Sequence, residues 1–220
     1  MNELLLIVLA YLIGSVPTSV WVGRYFFNID IREYGSGNPG ATNTYRVLGP
    51  KWGTFVMLAD MLKGIIAVKL VLLLPHYADN ETQFRNLQII LGLAAVIGHV
   101  FPIWADFRGG KGVATLFGLV LGISPITALC CSGVFLLVLY VTRFVSLSSI
   151  LASIAFPIFI LVIFNVENDI YRVFAIAVAL LVILTHQKNI GRLLKGSESK
   201  VPILKYRDRR RQRRRNRMMD

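Results

Sequence analysis

The sequence predicts an all-α, polytopic integral membrane protein with seven transmembrane helices, an outside N-terminus and a cytoplasmic C-terminus. Two observations predict this class. First, 55% of the 220 residues are hydrophobic and the mean hydropathy is +0.61, because long apolar runs recur along the chain. Second, the Lys and Arg residues fall almost entirely on one side of the membrane when those runs are threaded as seven spans.

A transmembrane helix needs about 20 apolar residues. The candidate spans are residues 4–23, 53–74, 86–104, 112–123, 125–142, 147–164 and 169–187. The first is interpreted as a retained span, since it lacks the basic start and small-residue exit of a signal peptide and contains Pro17. The fourth is short. The run 113–141 is interrupted at residues 122–125, so it is one long tilted helix or two helices joined by a tight turn.

Basic residues decide between these options, because Lys and Arg accumulate in cytoplasmic connections. With two helices, 20 of the 24 basic residues lie on one side, whereas only Arg85 and Arg172 lie on the other and Lys63 and Lys69 lie within a span. With one helix, the loop 104–111 and the tail would face opposite sides. The two-helix option is therefore favoured. It places four polar segments on the cytoplasmic face: 24–51, 104–112, 142–149 and 186–198.

The first polar segment contains a glycine-rich stretch, residues 34–44, that predicts a phosphate or carboxylate cradle. Its glycines allow tight turns, and consecutive backbone N–H groups in such turns bind anions. The candidate ligand-binding residues are Ser36, Gly37, Asn38, Gly40, Thr42, Asn43 and, just beyond, Arg46. The spacing also matches G-x-G-x-x-G, but the preceding apolar run is too long for the strand that a dinucleotide site requires.

The second segment places Gly110 and Gly112 around Lys111 at the start of a helix. A helix N-terminus with flexible glycines and an ammonium group is a natural anion site. The spacing does not match a Walker A loop. The alternative is a positively charged membrane anchor with a flexible turn.

The third and fourth segments lie at the ends of spans. Ser146, Ser148 and Ser149 form either a helix cap or an anion contact. His186 and Asn189 share a face if the last helix continues, and His suits proton handling or hydrogen bonding to a hydroxyl near neutral pH. The alternative for that segment is an interfacial polar belt.

The remaining polar residues are interpreted as structural. Asp60 and Lys63 are spaced to form an ion pair within the second span. No cluster has metal-ligand spacing, so no metal or cofactor is expected. The chain is expected to consist of a membrane domain, residues 1–198, and a basic tail, residues 199–220, that binds anionic lipid rather than nucleic acid.

Taken together, the motifs resemble those of the bacterial acyl-phosphate-dependent glycerol-3-phosphate acyltransferases of the PlsY type. The resemblance extends in order over residues 14–198. The matching motifs are Gly14-Ser15-Val16-Pro17, Gly35-Ser36-Gly37-Asn38-Pro39-Gly40-Ala41-Thr42-Asn43, Asp60-Met61-Leu62-Lys63-Gly64, Gly98-His99-Val100-Phe101-Pro102, Gly109-Gly110-Lys111-Gly112-Val113-Ala114-Thr115 and His186-Gln187-Lys188-Asn189-Ile190.

The resemblance implies a seven-helix fold in the bacterial cytoplasmic membrane, with the site facing the cytoplasm. It implies transfer of a fatty acyl group from acyl phosphate to the 1-hydroxyl of glycerol 3-phosphate, giving lysophosphatidic acid and inorganic phosphate. Ser36 and the backbone of residues 37–40 are expected to hold the acyl phosphate, with Lys111 and the serines around Ser149. Glycerol 3-phosphate is expected to contact Arg46, Lys111, His186 and Asn189. His186 is either a base or a positioning group.

Two other functions fit parts of the pattern. A transporter for an organic phosphate would use the same basic cluster, but the polar residues lie on one face and no inverted repeat is evident. A membrane scaffold would recruit partners through the basic tail. The sequence does not predict the oligomeric state or the preferred acyl chain.

Overall fold

The structure is a computed structural model that describes residues 2–201, a part of the chain that is helical and contains no β-strand. Its α-helices are α1 (Glu3–Ser15), α2 (Thr18–Phe27), α3 (Ala41–Leu48), α4 (Pro50–Lys69), α5 (Glu81–Val100), α6 (Val113–Ile123), α7 (Pro125–Thr142), α8 (Val145–Ile158), α9 (Asp169–Thr185) and α10 (Gln187–Leu194). A π-helical turn, Phe159–Ile163, extends α8. The basic tail lies outside the described residues from position 202 onward.

Helices occupy all seven predicted spans, with α1 and α2 sharing the first, but fewer than seven of these helices have the length and composition of a membrane span. Three do, Glu81–Ala105, Pro125–Thr142 and Val145–Ile163, and five do if each of two bent helix pairs counts as one span. Helix α4 differs because Lys51, Asp60, Lys63 and Lys69 lie within it. Helix α6 has only 11 residues, as its short apolar run predicts. The division between α6 and α7 confirms the break at residues 122–125.

The structure differs from the sequence expectations at three places. The first span is broken at Pro17, where α1 and α2 meet at 42°, because proline lacks the N–H that a continuous helix needs. The end of the first glycine-rich stretch and the residues after it form α3 (Ala41–Leu48), a helix that the sequence did not predict. The last helix does not continue through His186, since α9 and α10 meet there at 61°.

Close helix contacts depend on paired glycines. On the α4–α6 interface, a Cβ atom at Gly64 would overlap the Thr115 carbonyl oxygen, and one at Gly118 would overlap the Met61 carbonyl oxygen. The α1–α5 interface has the same arrangement at Gly14. Small residues let helix backbones approach closely where lipid provides no hydrophobic driving force between helices.

Two buried apolar clusters hold the helices together, one around α5, α6, α8 and α9 and one around α1, α4 and α5. Helix α7 turns large apolar side chains outward, including Leu129, Leu136 and Leu137, each more than 60% exposed. This exposure fits a helix whose outer face contacts lipid.

Candidate active site

The first glycine-rich stretch is held in shape by the side chain of Asn43. Asn43 is 1% exposed, and its Oδ1 accepts hydrogen bonds from the Ser36 N–H at 2.8 Å and the Ser36 Oγ at 3.1 Å. Its Nδ2 donates to the carbonyl oxygens of Ile31 and Tyr34. Asn43 therefore closes the loop onto itself, with Gly35 at φ +62° and Gly37 at φ +73° providing the turns.

The functional groups of this loop lie on its outer side. Ser36 and Thr42 are exposed, and Gly40 precedes the first turn of α3. Arg46 is exposed as well, with its Nη1 3.5 Å from Asn43 Oδ1. The loop thus presents the Ser36 and Thr42 side chains and the Arg46 guanidinium to its exposed side, whereas the N–H groups of Ser36, Gly37 and Gly40 form hydrogen bonds within the loop.

The second loop returns onto the end of α5 before α6 begins. The Gly109 N–H donates to the Val100 carbonyl oxygen and the Gly110 N–H to the His99 carbonyl oxygen, both at 3.1 Å. Gly112 then adopts φ +77° as the residue before α6. These bonds fix the position from which Lys111 extends.

The two loops contact each other. A Cβ atom at Gly110 would lie 3.2 Å from the Pro39 carbonyl oxygen. The Arg32 Nη1 donates to the Ala105 carbonyl oxygen at 3.0 Å, and Arg32 also pairs with Asp30 at 2.7 Å. The pKa of the Asp30 carboxyl is well below its usual range, chiefly because the Arg32 guanidinium donates to it.

A polar cluster joins the second loop to the last helices. The Lys111 Nζ donates to Asn189 Oδ1. The Asn189 Nδ2 donates to Glu198 Oε1 at 2.6 Å, and the other Glu198 oxygen accepts from Arg192 Nε at 2.6 Å. The Ser146 hydroxyl donates to Glu198 Oε1 at 2.8 Å. Three side-chain donors thus contact one carboxylate, and the Lys111 ammonium joins the cluster through Asn189.

Charges within this cluster shift its titration. Burial lowers the pKa of the Lys111 ammonium to about 8, although the nearby Glu198 carboxylate raises it in part and Arg192 lowers it further. For Glu198, burial raises the pKa, but hydrogen bonds from Arg192, Asn189 and Ser146 outweigh that effect, so the pKa is lower than usual. Lys111 is therefore a cation whose charge is lost at mildly alkaline pH.

His186 lies at the bend between α9 and α10 and is 3% exposed. Its Nδ1 is 2.8 Å from the Val182 carbonyl oxygen. Since a carbonyl oxygen only accepts, Nδ1 carries the hydrogen, and the Nε2 of the neutral ring is an acceptor. The bend starts α10 directly after His186, which leaves Asn189 in the first turn of α10, its N–H bonded to the His186 carbonyl oxygen at 2.8 Å.

The three serines of α8 differ in what their hydroxyls contact. Ser148 donates to the Phe144 carbonyl oxygen at 2.8 Å and Ser149 to the Val145 carbonyl oxygen at 3.0 Å, one turn back along α8. Ser146 instead contacts Glu198. Within the described residues, Ser146 is the serine of this group that joins the cluster.

The structure brings Lys111 and Asn189 together, with His186 adjacent, and it brings Ser36, Asn43 and Arg46 together. Within residues 2–201, no side-chain hydrogen bond joins these two groups; their loops meet at Pro39 and Gly110.

Sequence analysis did not identify Glu198. The available signal was an isolated acidic residue just after the final helix, within a strongly basic segment.

Comparison with known proteins identifies close relatives. Residues 4–196 match the family model described as glycerol-3-phosphate acyltransferase. A protein of that name from Staphylococcus carnosus is 46% identical over 91% of this chain and 98% of its own length. Another from Chlorobium chlorochromatii is 40% identical over 92% of this chain and 98% of its own length.

Solved structures show the same fold. A crystal structure of PlsY (YgiH), described as an integral membrane glycerol 3-phosphate acyltransferase in its glycerol 3-phosphate form, is 38% identical with a TM-score of 0.80, covering 93% of this chain and 98% of that one. The lysophosphatidic acid form has a TM-score of 0.76 at 38% identity, covering 92% of this chain and 96% of that one.

Proposed function

The chain belongs to the glycerol-3-phosphate acyltransferase family, and on that premise we propose that acyl phosphate is its acyl donor. The acceptor is the 1-hydroxyl of sn-glycerol 3-phosphate, and the products are lysophosphatidic acid and inorganic phosphate. This reaction is the first acylation of phospholipid synthesis.

The observation that carries this proposal is the donor cluster around Glu198. Its carboxylate is held by Asn189, Arg192 and Ser146, with Lys111 bonded to Asn189. The same donors suit the phosphate of either substrate, since phosphate and carboxylate both accept charge-assisted hydrogen bonds. The His186 ring has an acceptor nitrogen, and the His186 carbonyl oxygen accepts from the Asn189 N–H.

The chemical step needs little from the protein beyond placement and charge. The C1 hydroxyl oxygen of glycerol 3-phosphate attacks the acyl carbonyl carbon, and the bond from that carbon to the phosphate oxygen breaks. The bonding electron pair leaves with phosphate, which finally takes the hydroxyl proton. Acyl phosphate is already activated, so no covalent enzyme intermediate is required. Proximity and cations near the departing phosphate, Lys111 in particular, supply the catalysis.

Each site residue has a role in this proposal. Ser36 and the loop formed by Gly37, Asn38 and Gly40 hold the donor phosphate, with the second loop at Gly110. Arg46 and Asn189 hold the acceptor phosphate. Thr42 is a further donor at the site. Asn43 acts through the loop that it closes, and the Ser149 hydroxyl donates to the Val145 carbonyl oxygen of its own helix.

The test is release of phosphate from palmitoyl phosphate by the purified protein in lipid nanodiscs. We expect release that depends on glycerol 3-phosphate and matches lysophosphatidic acid formation. Lys111→Ala and His186→Ala are expected to lower the rate at least a hundredfold, while the exposed neighbour Lys188→Ala leaves it unchanged. Acyl transfer from a thioester but not from acyl phosphate would refute the donor assignment. Glycerol 3-phosphate uptake into proteoliposomes without acylation would identify a transporter.

We further propose seven membrane crossings in a bacterial cytoplasmic membrane, with the site facing the cytoplasm. Helices α4 and α6 are the crossings that composition alone does not identify; the charges of α4 are partly compensated by the Asp60–Lys63 pair. Single cysteines at Asp79 and Ser197, introduced after replacing Cys130 and Cys131, test this topology. A membrane-impermeant thiol reagent applied to whole spheroplasts should label position 79 and not position 197, and the opposite pattern would refute the orientation.

A further inference from the structure

The break in the first span leaves two helix ends inside the protein. Helix α1 ends at Ser15 and α2 begins at Thr18, with the helix axes at 42°. A helix C-terminus carries partial negative charge and an N-terminus partial positive charge. Exposed backbone groups at such a break need partners, because lipid offers none.

An ion pair on α4 meets these two ends. Asp60 and Lys63 are 2% and 7% exposed, and their charged atoms are 2.7 Å apart. The Lys63 ammonium donates to the Val16 carbonyl oxygen at the end of α1. The Asp60 carboxylate accepts from the Thr18 hydroxyl, at the start of α2, at 3.2 Å. Each charge therefore faces the helix end of opposite sign.

The same carboxylate also reaches the second loop. Asp60 Oδ1 is 3.8 Å from His99 Nδ1. The opposite edge of the His99 ring packs against Gly110, where a Cβ atom would overlap Nε2, and the His99 carbonyl oxygen accepts from the Gly110 N–H. Lys111 follows directly in the chain.

Thr18 is connected to the first glycine-rich loop through helix α2. Helix α2 runs from Thr18 to Phe27, and Gly23 packs so closely on the chain after it that a Cβ atom would lie 2.9 Å from the Ile29 carbonyl oxygen. The glycine-rich loop begins a few residues later. A small cavity of about 10 Å³ lies where these segments meet. Residues from both loops and from the ion pair line it, among them Thr18, Pro39, Asp60, His99 and Gly110.

We propose that Asp60 and Lys63 are positioning residues, which fix the first and second loops relative to each other so that the two substrates meet in reacting geometry. The inference rests on the proposed acyl transfer. A buried ion pair is weak evidence for stability, because apolar replacements are often neutral. Here its value lies in orienting α2 and His99, and a misplacement of about 1 Å between reacting groups costs about a hundredfold in rate.

The sharpest test replaces the Thr18 hydroxyl, which donates to Asp60 and has no substrate contact in the proposal. Thr18→Val removes the bond to Asp60 with little change in shape, whereas Thr18→Ser keeps it. We expect Thr18→Val to lower kcat about tenfold with each KM within about threefold and an unchanged Tm. Thr18→Ser should retain kcat. Equal kcat for Thr18→Val and the original protein would overturn the proposal.

A second set of variants tests the ion pair itself. The double variant Asp60→Leu with Lys63→Met should remain folded and lose kcat about thirtyfold. The reversed pair, Asp60→Lys with Lys63→Asp, keeps both charges but places each beside a helix end of like sign, so it should not restore kcat. Lys69→Met, an exposed position on the same helix, is the matched control. Restored kcat in the reversed pair, or normal kcat in the double variant, contradicts the proposal.

The readouts separate this proposal from a merely structural role and from the proposed function. A structural role lowers Tm and active fraction while kcat per folded molecule stays constant. A failure of the proposed function appears in the unaltered protein, as phosphate release that does not depend on glycerol 3-phosphate. An active unaltered protein with normal kcat in Thr18→Val or in the double variant refutes the positioning role alone.

Discussion

The alkaline pH dependence of the reaction tests the assignment of Lys111 most directly. Burial lowers the pKa of Lys111 to about 8, and only the protonated ammonium stabilises phosphate charge. Activity that depends on this charge is complete below the pKa and is lost as the pH rises through it. At pH 9 roughly one Lys111 in eleven remains protonated, so kcat/KM for glycerol 3-phosphate should be about tenfold lower than at pH 7.

Two variants separate Lys111 from the titration of the substrates. Lys111→Arg carries a charge that persists throughout this pH range, so its residual kcat/KM should change less than about twofold between pH 7 and pH 9. Glu198→Gln removes the carboxylate that favours charged Lys111 and should therefore shift the alkaline decline to lower pH. Initial rates of phosphate release across pH 6 to 10 provide the measurement.

Constant kcat/KM to pH 9.5 in the unaltered protein would refute the role assigned to the Lys111 charge. The same alkaline decline in Lys111→Arg, or a shift of the decline to higher pH in Glu198→Gln, would refute it as well. Should Lys111→Arg be too slow to measure, the direction of the Glu198→Gln shift still decides.

Three further outcomes are expected. Gly110→Ala should lower kcat/KM in the phosphate-release assay at least tenfold, because the added methyl group would collide with the His99 ring. The control Gly191→Ala, where the added methyl group meets open space, should have no effect. Ser146→Ala should lower kcat/KM about threefold to tenfold through lost contact with Glu198, while Ser148→Ala, whose hydroxyl bonds only to its own helix, should not; equal effects would refute this distinction. Deletion of residues 202–220 should leave kcat unchanged, since the residues that form the cluster around Lys111 precede position 202. Complete loss of activity would instead support a scaffold function for the tail.

Most of the helical architecture could be predicted from the sequence because hydropathy and helix breaks are local properties. The division at residues 122–125 follows from Pro125, and the Asp60–Lys63 pair follows from helical spacing. The break in the first span could be predicted only in part. The sequence contains Pro17, but whether a helix bends or ends at a proline depends on the partners of the freed backbone groups. Those partners lie on α4.

For the candidate site, the residues could be predicted from the sequence but their contacts could not. Ser36, Lys111, His186 and Asn189 could be selected because glycines, a cation and polar span ends are unusual within apolar sequence. Their contacts could not be predicted, and Asn43 illustrates the reason: its amide closes its own loop from a buried position, whereas its residue type alone suggested a substrate contact.

By itself, the sequence determined that this protein is a helical membrane protein with glycine-rich and basic segments at the ends of its spans, since each of these features depends on neighbouring residues. Only the tertiary structure decided which groups meet. Lys111 reaches Asn189 across 78 positions of the chain, and Glu198 completes that cluster from beyond the last helix. Such contacts depend on how α5, α6, α8 and α9 pack, which is a property of the whole fold and not of any one segment.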